Sequence, residues 1–265
     1  MAAGVETKRD KLTDFERFDF AADGLTRQVF KAGHGPAVVI VHEIPGITPE
    51  VARFARWVRD AGFTVYLPSL LGSPGKPNSS GYQLNSMLRA CIAREFSLWG
   101  DDKTSPVVSW LKQLAQRAHA ESGGKGVGAL GMCLTGNFAL AMMVEPVMRA
   151  PVMCQPSLPV GKAGGTGVPA DEMAAIRERL EREDLTVRGY RFDGDALCKA
   201  ARFEAFSKAL GSRFEGEALP DSAMKQGTFM SNPHGVVTTH LIDEQGSLTR
   251  AKVDEIIGFF RQRLI

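Results

Sequence analysis

The segment Val127 to Met143, VGALGMCLTGNFALAMM, restricts the possible folds of this chain more than any other stretch. Its apolar run Val127 to Leu130 reads as a buried strand, Gly131-Met132-Cys133 as a tight turn, and the small and apolar residues from about Leu134 as a helix. The order puts Cys133 on the turn, at the carboxyl end of a strand and beside the unpaired N–H groups that open a helix. Those groups and the helix dipole favour negative charge, whether on sulfur or on an oxyanion forming nearby. A cysteine so placed is positioned to be a nucleophile. Gly131 permits the bend and Gly136 lets the helix start approach the sheet. The plain alternative is an inert cysteine packed between a core strand and a core helix. The pattern alone does not choose: in a G-x-[SC]-x-G elbow the second glycine would stand at Thr135, and here it comes one residue later.

The rest of the chain repeats the strand-to-helix alternation. Phe15 to Lys31 reads as two short strands around a turn at Asp23-Gly24. Ala37 to His42, AVVIVH, is a strand apolar on both faces, ending at His42-Glu43-Ile44-Pro45-Gly46. An amphipathic helix over Pro49 to Ala61 and a strand over Thr64 to Leu67 complete a β-α-β unit, which implies a parallel sheet. From about Ser69 to Leu84 the chain is rich in Gly, Pro and Ser and reads as an irregular, lid-like loop. Helices are expected over Asn85 to Trp99, Pro106 to Ala120, Asp171 to Glu183, Leu197 to Leu210 and Leu248 to Leu264, and strands over Pro151 to Cys154 and Leu185 to Phe192. Ser212 to Met230 has no readable pattern, and Val236 to Leu241 is open to reading as an added strand. No linker or repeat divides the 265 residues, so the expectation is a single α/β domain, residues 1–265, with a mostly parallel, doubly wound sheet and helices on both faces.

Composition narrows the function classes. A net charge of +2, from 32 basic and 30 acidic residues, gives no electrostatic reason to expect nucleic acid or an anionic membrane as partner. No apolar run has the length of a membrane span and no secretory signal opens the chain, so the expected location is the cytoplasm. The four cysteines, Cys91, Cys133, Cys154 and Cys198, lack C-x-x-C spacing; they read as free thiols with no zinc or redox pair indicated. A small molecule is the expected partner, with no cofactor and no metal; the sequence does not give the oligomeric state.

In an open α/β sheet chemistry collects beyond the carboxyl ends of the strands. Glu43, Cys133, Asp195 and His234 each follow a separate expected strand or its loop, in the order nucleophile, acid, histidine for the last three. Asp193 competes with Asp195 as the acid, and Asp195 could serve only as a helix cap. His240 competes with His234. Glu43 could be a solvated turn residue, and His42 points to the opposite face of its strand and is expected to have no catalytic part.

With VIVHEIPG (Val39 to Gly46), GMCLTG (Gly131 to Gly136), FDGDALC (Phe192 to Cys198) and PHG (Pro233 to Gly235) in this order, the chain resembles the dienelactone hydrolase family of α/β-hydrolases over nearly its whole length. Thr135 departs from it, standing where the family normally has glycine. The resemblance implies a carboxylic ester hydrolase, an esterase or lactonase without a cofactor. Cys133 would be nucleophile, His234 base, Asp195 its orienting acid, and Glu43 the group that keeps the resting thiol protonated. Backbone N–H groups of Leu134 and Ile44 would form the oxyanion hole. Arg94 lies where the family supplies an arginine for a substrate carboxylate, although a solvated helix face also accounts for it. A ligand-binding or regulatory protein on the same fold, with a drifted elbow, is the alternative from another class.

Overall fold

The computed structural model describes residues 8–92 and 104–265. It holds an eight-stranded sheet in the order β1-β2-β4-β3-β5-β6-β7-β8. Strands β1 (Glu16–Ala22) and β2 (Leu25–Gly33) form the expected hairpin, and β2 pairs antiparallel with β4 (Thr64–Pro68). From β4 onward all pairings are parallel, through β3 (Ala37–Val41), β5 (Val127–Met132), β6 (Met148–Cys154), β7 (Val187–Phe192) and β8 (Phe214–Leu219). This is the mostly parallel, doubly wound sheet expected for an α/β-hydrolase fold.

The central strands are apolar on both faces because both faces are covered. Val38 and Ile40 of β3 join Leu130, Val152 and Phe192 in a core under helices α1 (Pro49–Asp60) and α7 (Leu248–Leu264), which contribute Val51, Phe54, Ile256 and Phe260. The alternate residues Val39 and Val41 face the second core with Ala129 and Met153. That core lies under α3 (Pro106–Ser122), α4 (Phe138–Ala141), α5 (Ala170–Arg182) and α6 (Ala200–Leu210). Strict alternation along β3 therefore serves two layers at once.

Helix α1 starts where its sequence says it should. The Thr48 hydroxyl accepts the Val51 N–H at 3.4 Å and Pro49 occupies the first turn. Helix α2 (Ser80–Ile92), in contrast, begins inside the stretch expected to be loop. Ser79 explains the early start: its carbonyl accepts the Gln83 N–H at 2.9 Å and its hydroxyl the Tyr82 N–H at 3.3 Å. The lid-like loop is thus shorter than expected, and Ser80 to Leu84 are helical. Two further expectations are corrected. Phe214–Leu219, in the stretch without pattern, is the edge strand β8, whereas Val236 to Leu241 is a buried run of turns and not a strand.

Chain direction makes the site. From β3 the chain goes to β4 on one side and then, past α2 and α3, to β5 on the other, so strand order reverses at β3 and β5. A crevice opens beyond the carboxyl ends at such a reversal. Glu43 follows β3 there, and Cys133 follows β5.

Candidate active site

Cys133 sits at the end of β5 with φ +54°, a left-handed conformation that costs a residue with a Cβ about 1–2 kcal/mol. Its surroundings hold it there. The Cys133 carbonyl accepts N–H groups from Gly136 and Ser157, both at 2.9 Å. Gly131 has no alternative, since a Cβ on it would lie 2.1 Å from the Thr135 carbonyl oxygen. A Cβ on Gly136 would lie 2.5 Å from Pro156 Cα, so the displaced second glycine still performs the close approach expected of it. After the elbow comes one 3-10 turn, Cys133–Thr135, then the short α4 and a second 3-10 turn, Met142–Val144, and not one continuous helix. Leu134 lies in the first of these turns, where the leading N–H groups have no partner within the helix.

Thr135 does not disturb this turn. Its hydroxyl oxygen lies 3.0 Å from the Val41 carbonyl, 3.1 Å from that of His42 and 3.0 Å from that of Met132, and it accepts the Met132 N–H at 3.2 Å.

Asp195 and His234 are brought together from loops after β7 and β8. His234 Nδ1 stands 2.8 Å from Asp195 Oδ2, and both side chains are buried. The other carboxylate oxygen, Oδ1, accepts the N–H groups of Leu197 and Cys198 at 2.9 Å each. Asp195 therefore caps the turn ahead of α6 and orients the imidazole as well. Asp193 is 62% exposed in its side chain and faces Arg191 at 3.7 Å, away from the histidine. His240 takes a supporting place. Its Nδ1 accepts the His234 backbone N–H at 3.1 Å, and its Nε2, 3.0 Å from the Met230 carbonyl, carries the proton that this carbonyl accepts.

Burial disfavours a charged His234, but the Cys133 sulfur and the Asp195 carboxylate outweigh it and hold the imidazole pKa well above its ordinary value. Glu43 is buried, and loss of water raises its pKa despite the opposing pull of His234. Gln155, which sequence reading passed over, holds it: its amide nitrogen lies 3.4 Å from Glu43 Oε2 and its amide oxygen accepts the Val236 N–H at 3.3 Å. Glu43 and His234 are both buried, and both line the same pocket as Cys133. That pocket holds about 300 Å³ and is walled by Ile44, Leu84, Met87, Leu197 and Met230.

His42 has no place in the pocket. Its Nδ1–H donates to the Glu43 carbonyl at 2.8 Å and its Nε2 accepts the Leu70 N–H at 3.0 Å, a neutral clip between β3 and the loop after β4. Cys154 and Cys198 are free and buried, and burial pushes both thiols up. Arg94 lies outside the described residues. Among the described residues no group of three or more His, Cys, Asp or Glu side chains could hold a metal ion, and no helix is long and apolar enough to cross a membrane.

A model of the dienelactone hydrolase family matches residues 24–163. Among solved structures, a protein of Klebsiella pneumoniae assigned as a dienelactone hydrolase is similar at 16% identity, with TM-score 0.66, over 94% of this chain and 98% of its own. A dienelactone hydrolase from Anabaena variabilis is similar at 13% identity, with TM-score 0.58, over 95% of this chain and 100% of its own. A dienelactone hydrolase-like promiscuous phosphotriesterase from metagenomic libraries is similar at 15% identity, with TM-score 0.57, over 94% and 98%. At these identities the structural likenesses establish the fold. No curated protein matches the chain.

Proposed function

The chain belongs to the dienelactone hydrolase family, and from this premise we propose that it is a cysteine-dependent hydrolase of carboxylic esters or lactones. The observation that carries the reading is the buried 2.8 Å contact of Asp195 with His234 beside a pocket where Cys133 is held in a left-handed elbow.

In this mechanism His234 takes the Cys133 thiol proton and the sulfur attacks the ester carbonyl carbon, whose π electrons move onto oxygen. The backbone N–H groups of Leu134 and Ile44 receive that oxyanion; one such donor is worth about 3–4 kcal/mol of barrier. The intermediate collapses to a thioester as the C–O bond breaks, and His234 returns its proton to the leaving alkoxide. Water, deprotonated by His234, then attacks the thioester and releases the acid and the thiol. Asp195 keeps Nδ1 protonated and favours the imidazolium formed in each half. Glu43, which lines the same pocket as Cys133, regulates the resting thiol until substrate displaces it. Arg94 is proposed to meet a substrate carboxylate, and the apolar described wall suits the hydrocarbon part of an ester.

The test compares wild type with Cys133→Ala on a panel of p-nitrophenyl esters and lactones, neutral and acidic. Turnover is expected to fall at least about a thousandfold in the variant. Undiminished turnover would remove the proposal.

A further inference from the structure

We propose that Thr135 is a positioning residue that sets the two halves of the oxyanion hole against each other. This rests on the hydrolase reading above. The two donors come from different strands: Ile44 lies two residues beyond His42 on the β3 loop, and Leu134 lies just before Thr135 on the elbow after β5. The hole works only if both N–H groups point at one oxygen, so the relative placement of these segments matters to a fraction of an ångström.

The ladder between the strands stops short of both donors, its last register pair being Val41 with Gly131. Beyond that pair the left-handed turn at Cys133 takes the β5 chain out of register. The N–H groups of Gly136 and Ser157 are both committed to the Cys133 carbonyl, which secures the elbow to itself and to the β6 loop but not to β3. Thr135 Oγ1 lies in this seam, buried at 1% exposure. It accepts from Met132 on the elbow side and has Val41 and His42 carbonyls within 3.0 and 3.1 Å on the β3 side. A hydroxyl carries one proton, which these carbonyls and that of Met132 share. Given to the Val41 or His42 carbonyl, that proton bonds the elbow to β3 while the lone pair of the hydroxyl is held by the Met132 N–H. A glycine at this position would carry no such group.

Removal of the hydroxyl keeps the two bonds that hold the Cys133 carbonyl, from Gly136 and Ser157, but frees the two donors to drift. Chemistry that develops an oxyanion then suffers, and chemistry at the sulfur that develops none does not. The experiment follows p-nitrophenyl ester hydrolysis and the rate of Cys133 alkylation by iodoacetamide, read by mass spectrometry of the Cys133 peptide. Both are measured in wild type, Thr135→Val, Thr135→Ser and Thr135→Gly. For Thr135→Val the expected result is a loss in kcat of about tenfold to a hundredfold, with KM and alkylation rate within about twofold of wild type. Thr135→Ser retains most of the wild-type kcat. Thr135→Gly shows the loss and carries the test if the valine variant does not fold. A kcat within twofold in both hydroxyl-free variants overturns the inference, as does an alkylation rate that falls in step with kcat. Failure of the wild type to hydrolyse any ester, by contrast, overturns the hydrolase reading on which the inference rests.

Discussion

At the scale of single residues, the two aspartates near the end of β7 separate by what they touch. Asp195 is buried with one oxygen on His234 and the other on two backbone N–H groups, while Asp193 faces Arg191 and solvent. Asp195→Asn is therefore expected to cut kcat/KM at least about a hundredfold, and Asp193→Asn to leave it within twofold. Because the Asp195 carboxylate helps to raise the His234 pKa, its removal also lowers that pKa, which a pH profile of Cys133 alkylation would record. The reverse ranking of the two variants would sink the assignment. Cys133 was legible in the sequence because it directly follows the apolar strand β5, a one-dimensional signal, whereas Asp193 and not Asp195 directly follows β7, and the FDGDALC motif is what favoured Asp195. His234 and His240 were not separable in that way. They are six residues apart in one irregular segment, and only the folded arrangement has His240 accept the His234 N–H. Gln155 left no signal at all: its role comes from φ +36° and burial between two loops distant in sequence.

At the scale of elements, the loop after β4 is fixed by its neighbours more than its composition suggests. Tyr82 on α2 reaches back to Ser73, bonding its N–H, and its carbonyl at 3.2 Å. Gly72 comes so near the Pro45 carbonyl that a Cβ would lie 2.1 Å from it. Tyr82→Phe removes a buried hydroxyl whose bonds contribute about 1 kcal/mol each, so residues 69–79 are expected to open more often. Limited proteolysis should cut the variant there several-fold faster than wild type; equal rates would show that the tyrosine does not hold the loop. The same loop explains what was hidden in the sequence. Its Gly, Pro and Ser content masked Ser79, the capping residue that starts α2. Strand β8 was hidden because it is an edge strand: Glu215 and Glu217 face outward toward Arg188 and Lys252, leaving no apolar alternation to read. Val236 to Leu241 misled in the opposite direction. Val236, Val237 and Thr238 are buried, as a strand's residues would be, but they pack as turns that seat His234 and His240. Strands β3 and β5 were plain because burial on both faces leaves an unbroken apolar run.

At the scale of the whole molecule, the fold gathers buried titratable groups at one end of its sheet, and their shifts pull stability in opposite directions with pH. His234 is raised, so its contribution is complete below about pH 6.5 and is lost as pH rises through its folded pKa. Glu43 is raised too, and the cost of burying its charge at neutral pH is relieved as pH falls through its folded value. His42 acts the other way. Burial lowers its pKa to about 4, against an ordinary 6.5, because a charged imidazole there loses water and could no longer accept the Leu70 N–H. The unfolded chain therefore takes up this proton first, and the stability supplied by neutral His42 is lost as pH falls from 6.5 toward 4. Integrating that difference from pH 7 to pH 4.5 gives about 2 kcal/mol. His42→Phe, which cannot titrate, is expected to be less stable than wild type at pH 7 for want of its two hydrogen bonds. Its unfolding free energy in urea should nevertheless fall about 2 kcal/mol less than that of wild type over the same interval. Taking the difference between the two proteins removes the contributions of His234 and Glu43 as far as they are unchanged by the substitution. Parallel slopes would mean that His42 is not held neutral, and the clip between β3 and the loop after β4 would have to be redrawn.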